Sequence, residues 1–299
     1  MRPTYLERGS GRLRQEDVYA GGLLRLLYAS RAGRLLEPVL AGSPLFSRAA
    51  GAWQETRLSR HRIEPFAERY RIDPSEAERP LDAYRSFADF FRREAAPGRR
   101  PLDPDPDVVV SPADGKVFVV ERVEPDRPFR IKRSIFDLGT FLGDAGLARR
   151  FAGGALAVIR LTLRDLHRFV FPLAGTPGPA LDVPGRYHAG GPYARGWLVP
   201  FFAENHRQLT RLDSARCGLV LMAEVGALTV GSIRQTFVPG LAVERGEAKG
   251  YFEPGGSTIV LLFEPGRIAF DADLLAASAR DLETAVLRGQ SLGRPGGGR

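Results

Sequence analysis

The sequence predicts an α+β fold, with a helical N-terminal region over residues 1–106 and a mostly antiparallel, β-rich domain over 107–288. Three observations predict it. Residues 19–40 place Leu23, Leu27, Leu35, Leu36 and Val39 mostly on one side of a helix, with Arg31, Arg34 and Glu37 on another. From residue 107 onward, short apolar runs alternate with Gly and Pro, the pattern of strands joined by turns. A chain of 299 residues at 43% hydrophobic content can also bury a sizeable core, in one large domain or two small ones.

Residues 1–18 are polar and are expected to be poorly ordered. The 19–40 helix either packs on the protein's own core or lies on a membrane surface, and both readings stay open. Ser43-Pro44 suits the start of a second helix, because proline is tolerated in a first turn. Ser86 is the N-cap candidate for Phe87 to Glu94, ahead of the breaker Pro97-Gly98. The strand runs are Val108–Val110, Lys116–Val120, Ala155–Leu163, Phe169–Leu173, Gly218–Val225, Leu228–Ile233 and Thr258–Phe263. Asp271 is expected to cap a last helix reaching Arg288, and residues 289–299 read as a flexible, glycine-rich tail.

The formal net charge is +8, and basic residues comprise 40 arginines against three lysines, Lys116, Lys132 and Lys249. Residues 1–62 hold 11 arginines and five acidic residues, so most of the excess lies there. Such a region suits anionic lipid or nucleic acid. No nucleic-acid signature or stacking aromatic pattern accompanies it, so nucleic acid is not expected as a partner. No apolar run approaches the ~18–20 residues of a membrane span, and the N-terminus does not read as a signal peptide. Cys217 is the single cysteine and opens an apolar run, which points to a buried structural thiol. No histidine or cysteine cluster has metal-ligand spacing, so no metal is expected.

The most informative segment is Gly255-Gly256-Ser257-Thr258, which leads straight into Ile259-Val260-Leu261-Leu262-Phe263. A hydroxyl thus stands at the start of a buried strand, behind two residues without side chains. Glycine allows unusual backbone angles and leaves its carbonyl open to attack. Alone, these four residues also read as a turn feeding a strand. Two further segments favour the chemical reading: Ser111-Pro112-Ala113-Asp114-Gly115-Lys116-Val117 and Asp165-Leu166-His167-Arg168-Phe169-Val170-Phe171-Pro172. With them the chain resembles the phosphatidylserine decarboxylases, self-processing, pyruvoyl-dependent enzymes of phospholipid synthesis. The resemblance extends from Ser43-Pro44-Leu45-Phe46-Ser47 through Ser86–Arg93 and Pro97-Gly98-Arg99-Arg100-Pro101. It continues in Val225-Gly226-Ala227 and Val230-Gly231-Ser232-Ile233 and ends with the run from Gly246 to Gly266, in family order and spacing.

The resemblance implies that Asp114, His167 and Ser257 form a self-cleavage site. In it, the Ser257 hydroxyl attacks the Gly256 carbonyl and converts the amide to an ester. Elimination leaves dehydroalanine at position 257, and hydrolysis with loss of ammonia leaves a pyruvoyl group. A large fragment, 1–256, and a small one, 257–299, stay together. His167 is the implied base for the serine proton, and Asp114 the group that orients its imidazole. The pyruvoyl cofactor then forms a Schiff base with the amine of phosphatidylserine in an anionic membrane and takes up the electrons released as carbon dioxide leaves. The implied location is peripheral, on the cytoplasmic face of a bacterial cell membrane. A homo-oligomer is left open.

One departure stands out: many relatives carry a second histidine three residues after the first, where this chain has Val170. Asp165, His167, Arg168 and Pro172 all remain, so His167 is taken as the base. His61 and His206 read as solvated, and His188, before a Gly-Gly-Pro loop, as a candidate for the substrate site. Two other readings stay open on sequence. One is a serine hydrolase acting on an external ester, although the Gly-x-Ser-x-Gly elbow is missing. The other is a lipid-binding relative that has lost catalysis through Val170.

Overall fold

A computed structural model describes residues 4–16, 51–124, 129–131, 134–185, 205–226, 233–254 and 257–297. The 19–40 helix, the Ser43-Pro44 start, His188, Gly255 and Gly256 lie outside these residues. In chain order the first strands are β1 (Thr4–Glu7), β2 (Leu13–Gln15), β3 (Val109–Val110), β4 (Gly115–Val120), β5 (Phe129–Ile131), β6 (Ser134–Phe136), β7 (Ala155–Leu161), β8 (Arg168–Val170) and β9 (Thr176–Pro177). There follow β10 (Leu181–Val183), β11 (Arg207–Ser214), β12 (Gly218–Gly226), β13 (Ile233–Gln235), β14 (Ala248–Phe252), β15 (Ser257–Phe263), β16 (Ile268–Phe270), β17 (Glu283–Val286) and β18 (Ser291–Pro295). The helices are α1 (Ile63–Tyr70), α2 (Phe87–Phe91), α3 (Leu138–Leu142), α4 (Ala145–Phe151) and α5 (Ala272–Ser278).

Among the described residues the largest sheet runs β10-β11-β12-β15-β7-β4-β17-β1-β2, with β9 beside β11. Every pair is antiparallel except β1 with β17. The strand opened by Ser257 is central: β15 pairs with β12 on one side and β7 on the other over its whole length. Both of its faces are buried, which is why its sequence is a continuous apolar run rather than an alternation. Ile259, Leu261 and Phe263 join Ile159, Leu161, Val117 and Met222 in one core, closed by Phe169, Ile233 and Phe252 of the smaller sheet β13-β14-β8. Val260 and Leu262 face the opposite core, which α3 and α4 cover with Leu138, Phe141, Leu142, Leu147 and Phe151.

The α+β class is as the sequence predicts, and Ser86 does cap α2, its side chain accepting from the Asp89 amide at 3.1 Å. Phe87, Phe90 and Phe91 of that helix pack with Ile63, Ala67 and Tyr84 in a third, smaller core. Three expectations are corrected at the chain ends. Residues 4–7 and 13–15 are strands of the main sheet rather than a poorly ordered lead. Residues 291–295 are not a flexible tail, because β18 pairs with β3 and β16 and its Leu292 is fully buried. The helix after Asp271 ends at Ser278, not Arg288; Asp281 turns with φ 57° and β17 follows. Asp271 itself makes no side-chain cap.

A buried polar cluster bridges the two sheets. Lys249 Nζ lies 3.0 Å from Glu224 Oε1, 3.0 Å from Thr210 Oγ1 and 2.8 Å from Gln235 Oε1. The rings of Phe169, Phe171 and Phe237 surround it with centroids at 5.5, 5.9 and 5.1 Å. Gln235 Nε2 donates to Glu224 Oε2 and to Gln208 Oε1, both at 2.9 Å. Burial lowers the lysine's pKa while Glu224 opposes it. Removing one partner of a buried pair strands the other charge, whereas replacing both with apolar groups does not. Lys249→Met alone should therefore cost about 3–5 kcal/mol in urea unfolding, and Lys249→Met with Glu224→Leu should recover most of that loss.

Candidate active site

Ser257 is the first residue of β15, and it pairs with Leu161 of β7 and Gly226 of β12. It is 4% exposed, and its hydroxyl is buried with no hydrogen-bond partner among the described residues. The residue opposite it on β12, Gly226, has no side chain to fill the adjoining space. On the other side, β4 runs against β7, and Gly115 lets them approach closely. A Cβ there would meet the Arg160 carbonyl oxygen at 2.8 Å and Ile159 Cγ2 at 2.9 Å. Asp114 thus arrives at the sheet end where Leu161 and Ser257 lie.

The chain leaves β7 through a tight turn that delivers His167. The Asp165 amide donates to the Thr162 carbonyl at 2.9 Å, while the Thr162 amide and hydroxyl each donate to Asp165 Oδ2 at 2.7 Å. Lys116 Nζ adds an ion pair at 3.2 Å. Burial pushes the Asp165 carboxyl up, but the Lys116 charge and the Thr162 donors outweigh it and hold it below the usual carboxylate range. So fixed, the Asp165 carbonyl oxygen sits 2.9 Å from His167 Nδ1. A carbonyl only accepts, so Nδ1 carries the proton and Nε2 of the neutral ring bears the free lone pair. That Nε2 is buried and without a hydrogen-bond partner among the described residues.

His167 has no exposure at all, and Phe91 of α2 lies against its ring, centroids 3.9 Å apart. The His167 carbonyl accepts from the Phe252 amide at 2.9 Å, in the arm that leads toward Ser257. Burial, aided by the Arg93 charge and opposed by Asp165, pushes the imidazole down to about 3. Arg93 is itself buried and donates to the Arg164 carbonyl at 2.8 Å. The histidine is therefore a neutral base throughout the neutral pH range, with the tautomer that points its lone pair away from Asp165.

No hydrogen bond joins Asp114 to His167. Arg100 engages its carboxylate through Nε at 2.8 and 3.0 Å and through Nη2 at 2.8 Å, and the Arg288 amide donates to Oδ1 at 2.8 Å. The expectation that Asp114 orients the imidazole is corrected on this point, since the Asp165 carbonyl does so. Val170 is 6% exposed, and its amide donates to the Pro112 carbonyl at 2.9 Å, two residues from Asp114. Arg100, Phe91, Arg93 and Lys116 escape sequence reasoning as site residues, because nothing local links them to residue 167. Cys217 is buried, and its thiol is pushed up to about 11 by that burial, as a structural cysteine should be. His61 is exposed, whereas the His206 Nε2 lies 3.0 Å from Asp182 Oδ1.

The family model described as phosphatidylserine decarboxylase matches residues 87–294, which include Asp114, His167 and Ser257. A phosphatidylserine decarboxylase proenzyme of Chlamydia trachomatis serovar L2 is 43% identical over 290 residues, covering 97% of this chain and 96% of that protein. Proteins of the same name from Chlamydia muridarum and Chlamydia pneumoniae are 42% and 38% identical, each covering at least 96% of both chains. On the family match and these near full-length relatives, the chain belongs to the phosphatidylserine decarboxylase family.

Proposed function

We propose that this protein is made as a proenzyme that cuts itself between Gly256 and Ser257 and then decarboxylates phosphatidylserine to phosphatidylethanolamine. The observation that carries this reading is two buried polar atoms, each without a hydrogen-bond partner among the described residues, one at the first residue of β15 and one in the turn that follows β7. They are the Ser257 hydroxyl oxygen and the lone-pair-bearing Nε2 of His167. A hydroxyl and a bare base are complementary, and a buried polar atom left unpaired in a native fold calls for an explanation. Attack on the preceding carbonyl is intramolecular, so it needs no entry from solvent. Ser257 is the nucleophile, and His167 takes its proton at Nε2 while Asp165 holds the Nδ1 proton.

Asp114 belongs to the same machinery through other contacts. It clamps Arg100 to the backbone of Arg288 and so fixes the floor beside the 111–114 segment. Ser257 fits the precursor of a pyruvoyl group, being orphaned, buried and faced by a glycine. Once formed, that group supplies the electron sink for loss of carbon dioxide, which no side chain of the protein offers. Fragments 1–256 and 257–299 stay joined through the pairing of β15 on both sides.

The membrane is reached through the basic N-terminal region, on the cytoplasmic face. No helix among the described residues is long and apolar enough to cross a membrane. Leu58 is 76% exposed between Arg57 and Arg60, and Trp53 is 40% exposed nearby, a pattern suited to shallow insertion beside anionic headgroups.

Cleavage is checked by intact mass. Purified protein should give fragments of residues 1–256 and 257–299, the smaller with a blocked N-terminus that borohydride reduces. Ser257→Ala should stay whole. A stable, full-length wild-type chain would refute the reading.

The role of His167 predicts a pH profile. The unfolded chain takes up a proton at the ordinary histidine value of 6.5 and the folded chain only near 3. Its contribution to stability is full above 6.5 and is lost as pH falls toward 3. Self-cleavage should show no inflection near 6.5, and His167→Ala should stop it. An inflection there would mean an ordinary, solvated histidine. Val170→His tests whether the missing family histidine limits the rate, with faster cleavage as the sign that it does.

Membrane binding predicts that vesicle co-sedimentation rises with anionic lipid and weakens in high salt, where screening shortens to ~3 Å at 1 M. Since residues 4–16 belong to the sheet, the informative deletion is 19–40 rather than the whole N-terminus. That deletion should weaken binding and leave cleavage intact; undiminished binding would place the membrane contact elsewhere.

A further inference from the structure

Residues 257–297 supply β15, β16, α5, β17 and β18. The neighbours of β15 are β7 and β12; farther out, β17 pairs with β4 and β18 with β3, and the first residues of the chain add a further hold. β1 lies parallel to β17, with Tyr5, Leu6 and Glu7 opposite Glu283, Thr284 and Ala285. Immediately after β1, Arg8 Nη2 donates to Asp271 Oδ2 at 2.7 Å and to Asp273 Oδ1 at 3.0 Å, and Arg8 Nε to Asp273 Oδ2 at 2.8 Å. Arg8 Nη1 also donates to the Ser291 carbonyl. All of these partners lie beyond residue 257.

A second lock closes the other end of the N-terminal hairpin. The buried Arg160 guanidinium reaches Glu283 Oε1 and Oε2 at 3.0 and 2.7 Å. The same group reaches Glu16 Oε1 and Oε2 at 3.0 and 2.6 Å. Arg160 stands in β7, opposite Thr258. One cation thus ties the end of the hairpin and the start of β17 to the strand beside β15. Forked, charge-assisted contacts of this kind fix geometry as well as adding energy.

We propose that residues 4–16 are a retaining strap for the C-terminal fragment, keeping α5, β17 and β18 in place once the bond before Ser257 is broken. This rests on the cleavage proposed above. In an uncut chain the peptide bond before Ser257 already tethers these elements, so the strap adds little. In a cut chain, β1, Arg8 and Glu16 belong to one fragment and their partners Asp271, Asp273, Ser291 and Glu283 to the other. Losing the strap then changes an association equilibrium rather than a local contact.

The test combines Arg8→Ala with Glu16→Gln, in the wild type and in the uncut Ser257→Ala protein. A C-terminal tag captures the small fragment, and the co-eluting large fragment is measured by mass across a urea series. The cut double variant should release the large fragment at lower urea, with co-elution at a fixed urea concentration down at least about tenfold and dependent on protein concentration. In the uncut background, unfolding followed by tryptophan fluorescence should shift less and show no dependence on concentration. Arg8→Lys keeps the charge without the fork and should release at intermediate urea, and it carries the comparison if the double variant fails to fold. Release of every cut variant at the wild-type urea concentration would overturn the strap. A wild-type chain that is never cut would overturn the cleavage reading and the strap with it.

Discussion

The structure depends on the central position of β15. A strand paired along its whole length on both sides and buried on both faces has little freedom to slip. A shift of one residue would swap the two sets of side chains between cores of different composition. That register puts Ser257 at the sheet's end, opposite Leu161, and the chain beyond Leu161 turns back to deliver His167. Ser257 is therefore positioned by a seven-residue central strand, and His167 by the hydrogen-bonded turn that follows the strand's neighbour.

The environment of the base follows from that placement. An imidazole under Phe91, beside buried Arg93, has no route to an easy proton, so it stays neutral. The Thr162–Asp165 turn decides which nitrogen carries the hydrogen, and Lys116 keeps the turn's carboxylate charged and bonded. Asp114, the acidic residue that motif logic assigns to the histidine, is occupied by Arg100 and the Arg288 backbone. The ring is oriented by a backbone carbonyl at Nδ1, and the Asp165 carboxylate acts on it only through its charge.

Much of the sheet was legible in the sequence, for a physical reason. Lys116–Val120, Ala155–Leu161, Gly218–Val225 and Thr258–Phe263 are interior strands, and burial on both faces writes itself as an apolar run. The strands that escaped carry weaker local signals. β11 interleaves Arg207, Gln208, Arg211 and Asp213 with its apolar residues, and β14 contains Gly250, where an added Cβ would meet the Arg234 carbonyl oxygen at 2.2 Å. β1, β17 and β18 exist because distant parts of the chain pair with them, and no local pattern encodes that; β2 follows as the hairpin partner of β1. Ala272–Val286 has the composition of a long helix, yet Asp281 breaks it and the sheet claims the rest. Ser257 and His167 drew attention through ordered motifs, and the structure places both in buried surroundings. The contacts of Asp114 were not legible, since Arg100 and Arg288 lie on opposite sides of it in sequence.

The parallel pairing of the first strand with one near the end of the chain has a consequence for biosynthesis. A ribosome makes Thr4–Glu7 long before Glu283–Val286, so the sheet cannot close until residues 283–286 have been made. Its central strand, β15, is likewise late, and it must enter between two strands already made. A chain whose bond-breaking chemistry needs that strand in register has, in its own topology, a clock: the strand is set only once it has been made and has entered between neighbours made earlier. The order of events becomes part of the molecule's information. A mature pair of fragments, once unfolded and diluted, would face a two-body insertion that the nascent chain never encountered, and its lifetime would be governed by the rate of opening rather than by an equilibrium it can revisit.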